Sequence, residues 1–385
     1  MASTQYDALI LVDPRFMGGT ATAVETDVRA LEAAGLAVGL HFVTGHDFFL
    51  PHETINPRLA ALLDLSGVQR VPCDRTTRAR IAFFHHPQPF QRGVDNPIQV
   101  IADNTVIVCH QAPFKGDGAL EYDPFLIQRQ IRNQFGTLPT WAPISGICRA
   151  QLRSFSPLLR LTHEDWPNTF QVGDWTPKRE KLTIPHLVVG RHGRPHTDKW
   201  GDDRTDIAAS LPAGALTRIR TMGADKDFFE ALGVETTNWD ILPFNAEPVP
   251  DFLDSLDVFS YFHSSRWIET FGRTVAEAML MGARCVLQPE LKRTFGDHAL
   301  YCEPSEVAQV LNAIRNDLHG ARQATRQARE WCIKNYAAEF IPARFEALTR
   351  DPGTTSRRGP IAASPFTAAR KWTGFHRRSH QARKQ

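Results

Sequence analysis

Residues 258 to 288, VFSYFHSSRWIETFGRTVAEAMLMGARCVLQ, constrain this chain more than any other stretch. Val258 to Phe262 is an apolar run of strand length, a polar loop follows, and a helical pattern carries on from Gly272 until Gly282 leads into a second strand at Cys285 to Leu287. Glu269 precedes the helix and Glu277 lies on it. Eight positions at about 1.5 Å of rise each put their carboxylates about 12 Å apart, with the helix N-terminus near the first. The free N–H groups of a helix start, reached easily past Gly272, suit an anion such as a diphosphate. A nucleotide-sugar has a hydroxyl-rich ring at each end and a diphosphate between, so two carboxylates flanking an anion site match its chemistry.

The rest of the chain repeats strand and helix. Asp7 to Val12 reads as a strand, Gly18-Gly19 as a turn, Ala23 to Ala34 as a helix stopped by Gly35, and Ala37 to Val43 as a second strand. This β-α-β unit makes a parallel sheet, whose ligands lie beyond the carboxyl ends of its strands. Further strands are expected at Ile81 to Phe84, Ile98 to Ala102 and Thr105 to Cys109, with helices near 122 to 134 and 146 to 155. Two of these strands run into histidines, Phe84 into His85-His86 and Cys109 into His110.

The pattern weakens between about 156 and 182, which reads as a hinge, and a second alternating series starts at Ile184 to Val189. That strand empties into Gly190-Arg191-His-Gly-Arg194-Pro-His-Thr-Asp-Lys199, bases suited to the negative charge of a departing diphosphate. Further strands are read at Leu216 to Met222, Trp239 to Leu242 and Ala299 to Cys302, with helices at Asp225 to Leu232, Val249 to Leu256, 304 to 317 and 320 to 349.

The central stretch resembles the donor-binding segment of the retaining family 4 glycosyltransferases, the "glycosyl transferases group 1". The matching residues are Glu269-Thr270-Phe271-Gly272, then Arg273-Thr-Val-Ala, then Glu277-Ala-Met and the exit Gly282-Ala-Arg-Cys-Val286, with Arg284 where the family usually has proline. The likeness covers roughly residues 8 to 345, is strongest over 258 to 304, and is loose between 45 and 100. It implies a GT-B fold, two Rossmann-like doubly wound domains facing across a cleft, with the last helix crossing back to the first. The expected divisions are 1–175 for the acceptor-side domain, 176–335 for the nucleotide-sugar domain, 336–350 for the return helix and 351–385 for a tail.

The resemblance also implies roles. A hexosyl unit passes from a nucleotide-diphosphate sugar to an acceptor hydroxyl with its anomeric configuration retained. Arg191 and Lys199 stabilise the diphosphate; Arg191 is favoured over Arg194 because it follows the strand directly. Glu269 holds the sugar hydroxyls, Glu277 the ribose, and His86 or His110 the sugar from the other domain, a choice one sequence leaves open. Gly18 and Gly19 face the diphosphate and complete a donor set with Thr270, Phe271, Gly272, Arg273 and Glu277. There is no clear Asp-x-Asp after a strand, so a metal-independent transferase without a cofactor is expected. The acceptor is a glycan or lipid-linked hydroxyl, as in polysaccharide biosynthesis. The rival readings are a GT-B-like sugar-nucleotide epimerase and a catalytically silent nucleotide-sugar-binding or scaffold protein.

Composition narrows the setting. The six cysteines form no CxxC pair and several lie in apolar runs, the pattern of buried free thiols in a reducing compartment. The start lacks a basic segment followed by an apolar one and no stretch of 18 apolar residues occurs, so a cytoplasmic protein is expected. Charge is concentrated at the end: residues 351 to 385 hold eight Lys or Arg against Asp351 alone, a net of +7 in a chain whose formal charge is +2. With Trp372 and Phe375 among its bases, this tail suits contact with an anionic membrane, placing the protein at the inner face; nucleic acid is not expected as a partner. The Pro-Gly-Ser-Thr composition after Arg350 argues against a packed core there.

Overall fold

The apolar runs of the first half become six parallel strands: β1 (Gln5–Val12), β2 (Val38–Phe42), β3 (Val68–Arg70), β4 (Thr77–His85), β5 (Val100–Cys109) and β6 (Thr140–Pro143). Their order is β3-β2-β1-β4-β5-β6. Leu9, Leu11, Ile81, Phe84, Ile107 and Val108 are buried without remainder, as strands covered by helices on both faces require. The helix Gly19–Ala33 carries the chain from β1 to β2 and buries Val24, Val28 and Leu31. In the second half, β7 (Leu187–His192), β8 (Thr217–Met222), β9 (Trp239–Leu242), β10 (Val258–Tyr261), β11 (Arg284–Leu287) and β12 (Leu300–Tyr301) form a second parallel sheet, ordered β12-β11-β10-β7-β8-β9. Its core gathers Leu187, Val189, Trp200, Ile219, Phe229, Val258 and Val286.

This computed structural model describes residues 5–46, 48–50, 52–73, 75–155, 158–351, 353 and 365–382. The chain separates into two units, Met1–Phe170 with Ala338–Gln385, and Gln171–Ala337. In each sheet the winding reverses once, between β1 and β4 in unit 1 and between β7 and β10 in unit 2. Such switch points open a crevice at the carboxyl ends of the flanking strands.

Several elements differ from expectation. The two runs at 98 to 102 and 105 to 109 are one strand, β5, because Asp103 and Asn104 continue the ladder with Asn104 paired to Ile81. Short β3 and β6 were not anticipated; one carries two exposed polar residues and the other ends in Pro143. β7 runs on to His192, with Arg191 paired to Thr221. The helix expected over 320 to 349 is two, Leu318–Tyr336 and Ile341–Arg350, broken where Ala337 turns extended and the chain passes into unit 1. There Ala338 donates its N–H to Phe170 O at 2.9 Å, and Arg80 forks onto both Glu346 oxygens at 2.8 Å.

The tail also departs from its reading as unpacked chain. Residues Pro365–Ala382 are helical, and Phe375 is buried with its ring 5.2 Å from Phe125 and 5.4 Å from Phe155. Trp372, one turn earlier on the same face, meets Phe125 at 4.7 Å. Two aromatics at helical spacing supply the apolar contact that composition alone understated. The Thr-Thr-Ser-Arg-Arg-Gly-Pro stretch lies outside the described residues. Five of the cysteines are buried free thiols and Cys73 is exposed. Among the described residues no helix is long and apolar enough to cross a membrane.

Candidate functional site

In unit 2 the loops leaving β7 and β10, the two strands of the switch point, hold the sequence-predicted residues. Lys199 closes a short turn after β7 and donates from Nζ to Glu269 Oε2 at 2.7 Å. Tyr261, the last residue of β10, donates its hydroxyl to the same oxygen at 2.5 Å, and Gly272 N–H reaches Glu269 Oε1 at 3.3 Å. Trp267 packs its ring 4.1 Å from Lys199 Nζ. Burial alone would push Glu269 up, but the Lys199 charge and the hydrogen bonds from Lys199 and Tyr261 outweigh it and hold the carboxyl at about 2. It is therefore an anion at neutral pH, with a cation beside it.

Gly272 has φ 84°, a left-handed turn that starts the helix Arg273–Leu280, and a Cβ there would press on the Phe295 ring at 3.1 Å. Phe271 anchors the turn against Tyr336, its ring 5.1 Å away, and Thr270 is buried beside it. One turn into the helix Glu277 is buried as well. Arg273 Nε lies 3.0 Å from Glu277 Oε1, and His192 Nε2 lies 3.4 Å from Oε2. Each glutamate is thus set by a base from the β7 loop or from the helix itself. His192 was missed by the sequence reading; its signal was its place next to Arg191 at the end of β7.

Arg191 is enclosed. β7 lies three residues later than expected and carries it into the core, 1% exposed, where Nη1 donates to Phe262 O and Nη2 to Lys199 O, both at 2.5 Å. Its guanidinium lies between the rings of Trp200 at 4.3 Å and Tyr261 at 4.4 Å. Burial lowers it to about 10, so it stays charged at neutral pH. It ties the β7 loop to the β10 loop and so sets the Lys199 to Glu269 pair. Arg194, the base set aside in its favour, is exposed on the loop.

In unit 1 the loop after β1 is fixed by Asp13, whose carboxylate takes Arg15 Nε at 2.8 Å and Nη2 at 2.6 Å and Gly45 N–H at 2.9 Å. Gly18, at φ 71°, precedes the helix Gly19–Ala33, which has neither a side-chain cap nor an acid in its first turn. A Cβ on Gly19 would meet nothing within 4 Å, so space is open beside this helix start. His86 and His110 come together at the ends of β4 and β5, joined by His85: His85 Nδ1 lies 3.2 Å from His110 Nε2, and the His86 and His110 rings are parallel at 6.0 Å. Burial first, then the mutual proximity of the rings, pushes His85 and His86 well below the usual histidine range, and burial takes His110 to about 3. Among the described residues no group of three or more His, Cys, Asp or Glu is placed to hold a metal ion.

No protein-family model and no curated protein sequence matches the chain. Solved structures do. HepE of Anabaena in complex with UDP is similar with TM-score 0.62 at 14% identity, over 89% of this chain and 100% of that one. Its complex with UDP-glucose gives 0.59 at 13% identity, over 90% and 100%. A glycosyltransferase from Rickettsia africae ESF-5 gives 0.58 at 11% identity, over 89% and 98%. AviGT4, a glycosyltransferase involved in avilamycin A biosynthesis, gives 0.51 at 14% identity, over 89% and 97%. With two six-stranded parallel sheets, each reversing its winding once, the chain has the GT-B fold of these glycosyltransferase structures.

Proposed function

We propose that the protein is a glycosyltransferase of the EC 2.4 class, moving a hexosyl unit from a nucleotide-diphosphate sugar to an acceptor hydroxyl with retention of anomeric configuration and without a metal or other cofactor. The observation that carries this reading is the Lys199 to Glu269 pair at the unit 2 switch point, just before the Gly272 helix start, with Glu277 about one turn into that helix. A UDP complex and a UDP-glucose complex of one protein with the same fold support a nucleotide-sugar donor.

Each residue then has a task. Glu269, kept ionised, accepts hydrogen bonds from sugar hydroxyls, and Glu277, paired with Arg273 and with His192 beside it, accepts them from the ribose. Lys199 and exposed Arg194 meet the diphosphate with the N–H groups after Glu269, while Arg191 positions the two loops. Within unit 1, the open helix start past Gly18 and Gly19 suits an anion, and His86 and His110 suit sugar hydroxyls. The acceptor oxygen attacks the anomeric carbon from the face that the diphosphate leaves. The breaking C–O bond sends its electron pair to the diphosphate, which takes the acceptor's proton. Positive charge held in place beforehand stabilises this charge development.

The acceptor in this reading is a glycan or lipid-linked hydroxyl at the inner face of a membrane. Exposed Phe366, Arg370, Trp372 and Arg377 on the C-terminal helix, with no acid on it, support contact with anionic lipid. Incubation with UDP-, GDP-, ADP- and TDP-hexoses and a panel of acceptors, followed by mass spectrometry and proton NMR, tests the reaction. One glycoside with the donor's anomeric configuration, formed equally in EDTA, is expected. An inverted product, an epimerised nucleotide-sugar, or binding without turnover would each contradict it.

A further inference from the structure

The three imidazoles at the ends of β4 and β5 have unpaired nitrogens that decide which protons they carry. His85 is fully buried; its Nδ1 faces His110 Nε2, while its Nε2 is enclosed without a partner. With its proton on Nε2, His85 would leave a buried donor unanswered. With its proton on Nδ1, it donates to His110 and leaves only a lone pair bare. Orphaned buried N–H groups are the rarer and the more costly. All three rings are neutral, so a His110 that accepts at Nε2 carries its own proton on Nδ1.

That Nδ1 has no protein partner among the described residues, and it is not one of the enclosed atoms, so it opens to solvent. His86 follows the same logic. Its Nδ1 is enclosed without a partner, which places the proton on Nε2, and among the described residues that atom is neither enclosed nor bonded. The two rings lie parallel, 6° between planes, with Phe16 against His86 at 4.4 Å. His86 adopts φ 70°, a left-handed conformation that non-glycine residues take only at a cost. Such strain is held where the surrounding structure needs the side chain in one place.

We propose that His85 is a positioning residue: by donating from Nδ1 to His110 Nε2 it locks His110 as its Nδ1–H tautomer, so that His110 and His86 offer two parallel neutral N–H donors to the hydroxyl oxygens of a bound sugar. Neutral donors carry no charge to attract phosphate, so the pair selects uncharged oxygens. Only the identity of the ligand rests on the glycosyltransferase reading; the tautomer does not.

The test is a long-range proton–nitrogen correlation spectrum of protein labelled with 15N-histidine, near neutral pH, assigned through single substitutions. His110 should show a protonated Nδ1 and a bare Nε2, and His86 a protonated Nε2. His85→Leu should release His110 to the Nε2–H form that free imidazole prefers and lower transfer kcat/KM about tenfold, one lost hydrogen bond to substrate. His85→Asn, whose amide can donate to the same nitrogen, should restore both. A protonated Nε2 on His110 in the unaltered protein overturns the proposal, and that spectrum decides even if the leucine variant fails to fold. An unchanged His110 tautomer in a folded His85→Leu protein overturns it too. The expected tautomers in a protein that transfers no sugar would uphold the positioning role and sink the glycosyltransferase reading instead.

Discussion

Lys199 and Glu269, separated by 70 residues in sequence, meet at 2.7 Å because Arg191 binds the backbone carbonyls of Lys199 and Phe262 at once. One buried guanidinium thereby joins the loops that leave the two strands of the switch point. The pair depends on its scaffold as much as on its own charges.

Arg191→Ala should consequently act on stability before it acts on ligand binding. It removes two charge-assisted hydrogen bonds and the filling between Trp200 and Tyr261, a loss of about 3 kcal/mol or more in urea unfolding. Arg191→Lys should fail to restore it, because an ammonium cannot reach both carbonyls and stack. Arg194→Ala should change stability by no more than about 0.5 kcal/mol and weaken binding of a nucleoside diphosphate.

Lys199→Met takes from buried Glu269 the one cation that hydrogen-bonds to it among the described residues, leaving it Tyr261 and the nearby charge of Arg191. Glu269 has a folded-state value of about 2, below the ordinary carboxyl value. Its contribution to stability is therefore complete above about pH 4.5 and is lost as pH falls towards 2. In the variant this acid-side loss should shrink, and stability at neutral pH should fall by about 2–3 kcal/mol. Urea midpoints at several pH values measure both.

Asp27, buried on the helix Gly19–Ala33, behaves in the opposite sense. Burial raises it to about 7, against the hydrogen bond from Trp166 Nε1 at 2.9 Å and the charge of Arg344. The folded state holds this proton more tightly than the unfolded state, so its contribution to stability is complete below about pH 4 and falls as pH rises to about 7. Asp27→Asn keeps an acceptor for Trp166 and never ionises. It should match the unaltered protein near pH 4 and exceed it at pH 8, by at most about 4 kcal/mol. Thermal melts across that range read the difference.

Phe375→Ala should undock the C-terminal helix by removing the ring set between Phe125 and Phe155. Truncating a buried phenylalanine costs about 3 kcal/mol, enough to expose a terminal helix to protease. Limited trypsin digestion should remove the tail while the remainder stays intact. The variant should also lose attachment to vesicles containing phosphatidylserine.

The GT-B fold was legible because parallel strands buried on both faces are written as apolar runs, and Glu269, Gly272 and Glu277 because a strand, a loop and a helix must follow in that order around them. The burial of Arg191 escaped the sequence for a local reason. Gly190 and Arg191 look like a strand end, yet the ladder with Thr221 and Met222 holds the chain extended through His192 and points the arginine inward. His192 escaped notice because its use depends on Glu277, 85 residues later, a pairing that exists only after both strands are laid side by side. Conversely, the histidines after β4 and β5 could be listed but not ordered. Which nitrogen is enclosed and which is open is a property of packing, and sequence spacing carries no trace of it.

The central claim is that Glu277 and the Gly272 helix start receive a nucleoside diphosphate, and thermal unfolding with UDP, GDP, ADP and TDP tests it most directly. One of the four, at about a hundred times its Kd, should stabilise the protein by about 2.7 kcal/mol. The gain should be the same in EDTA and should be largely lost in Glu277→Ala. A folded protein whose melting is moved by none of the four, or is moved equally with and without Glu277, would contradict the account.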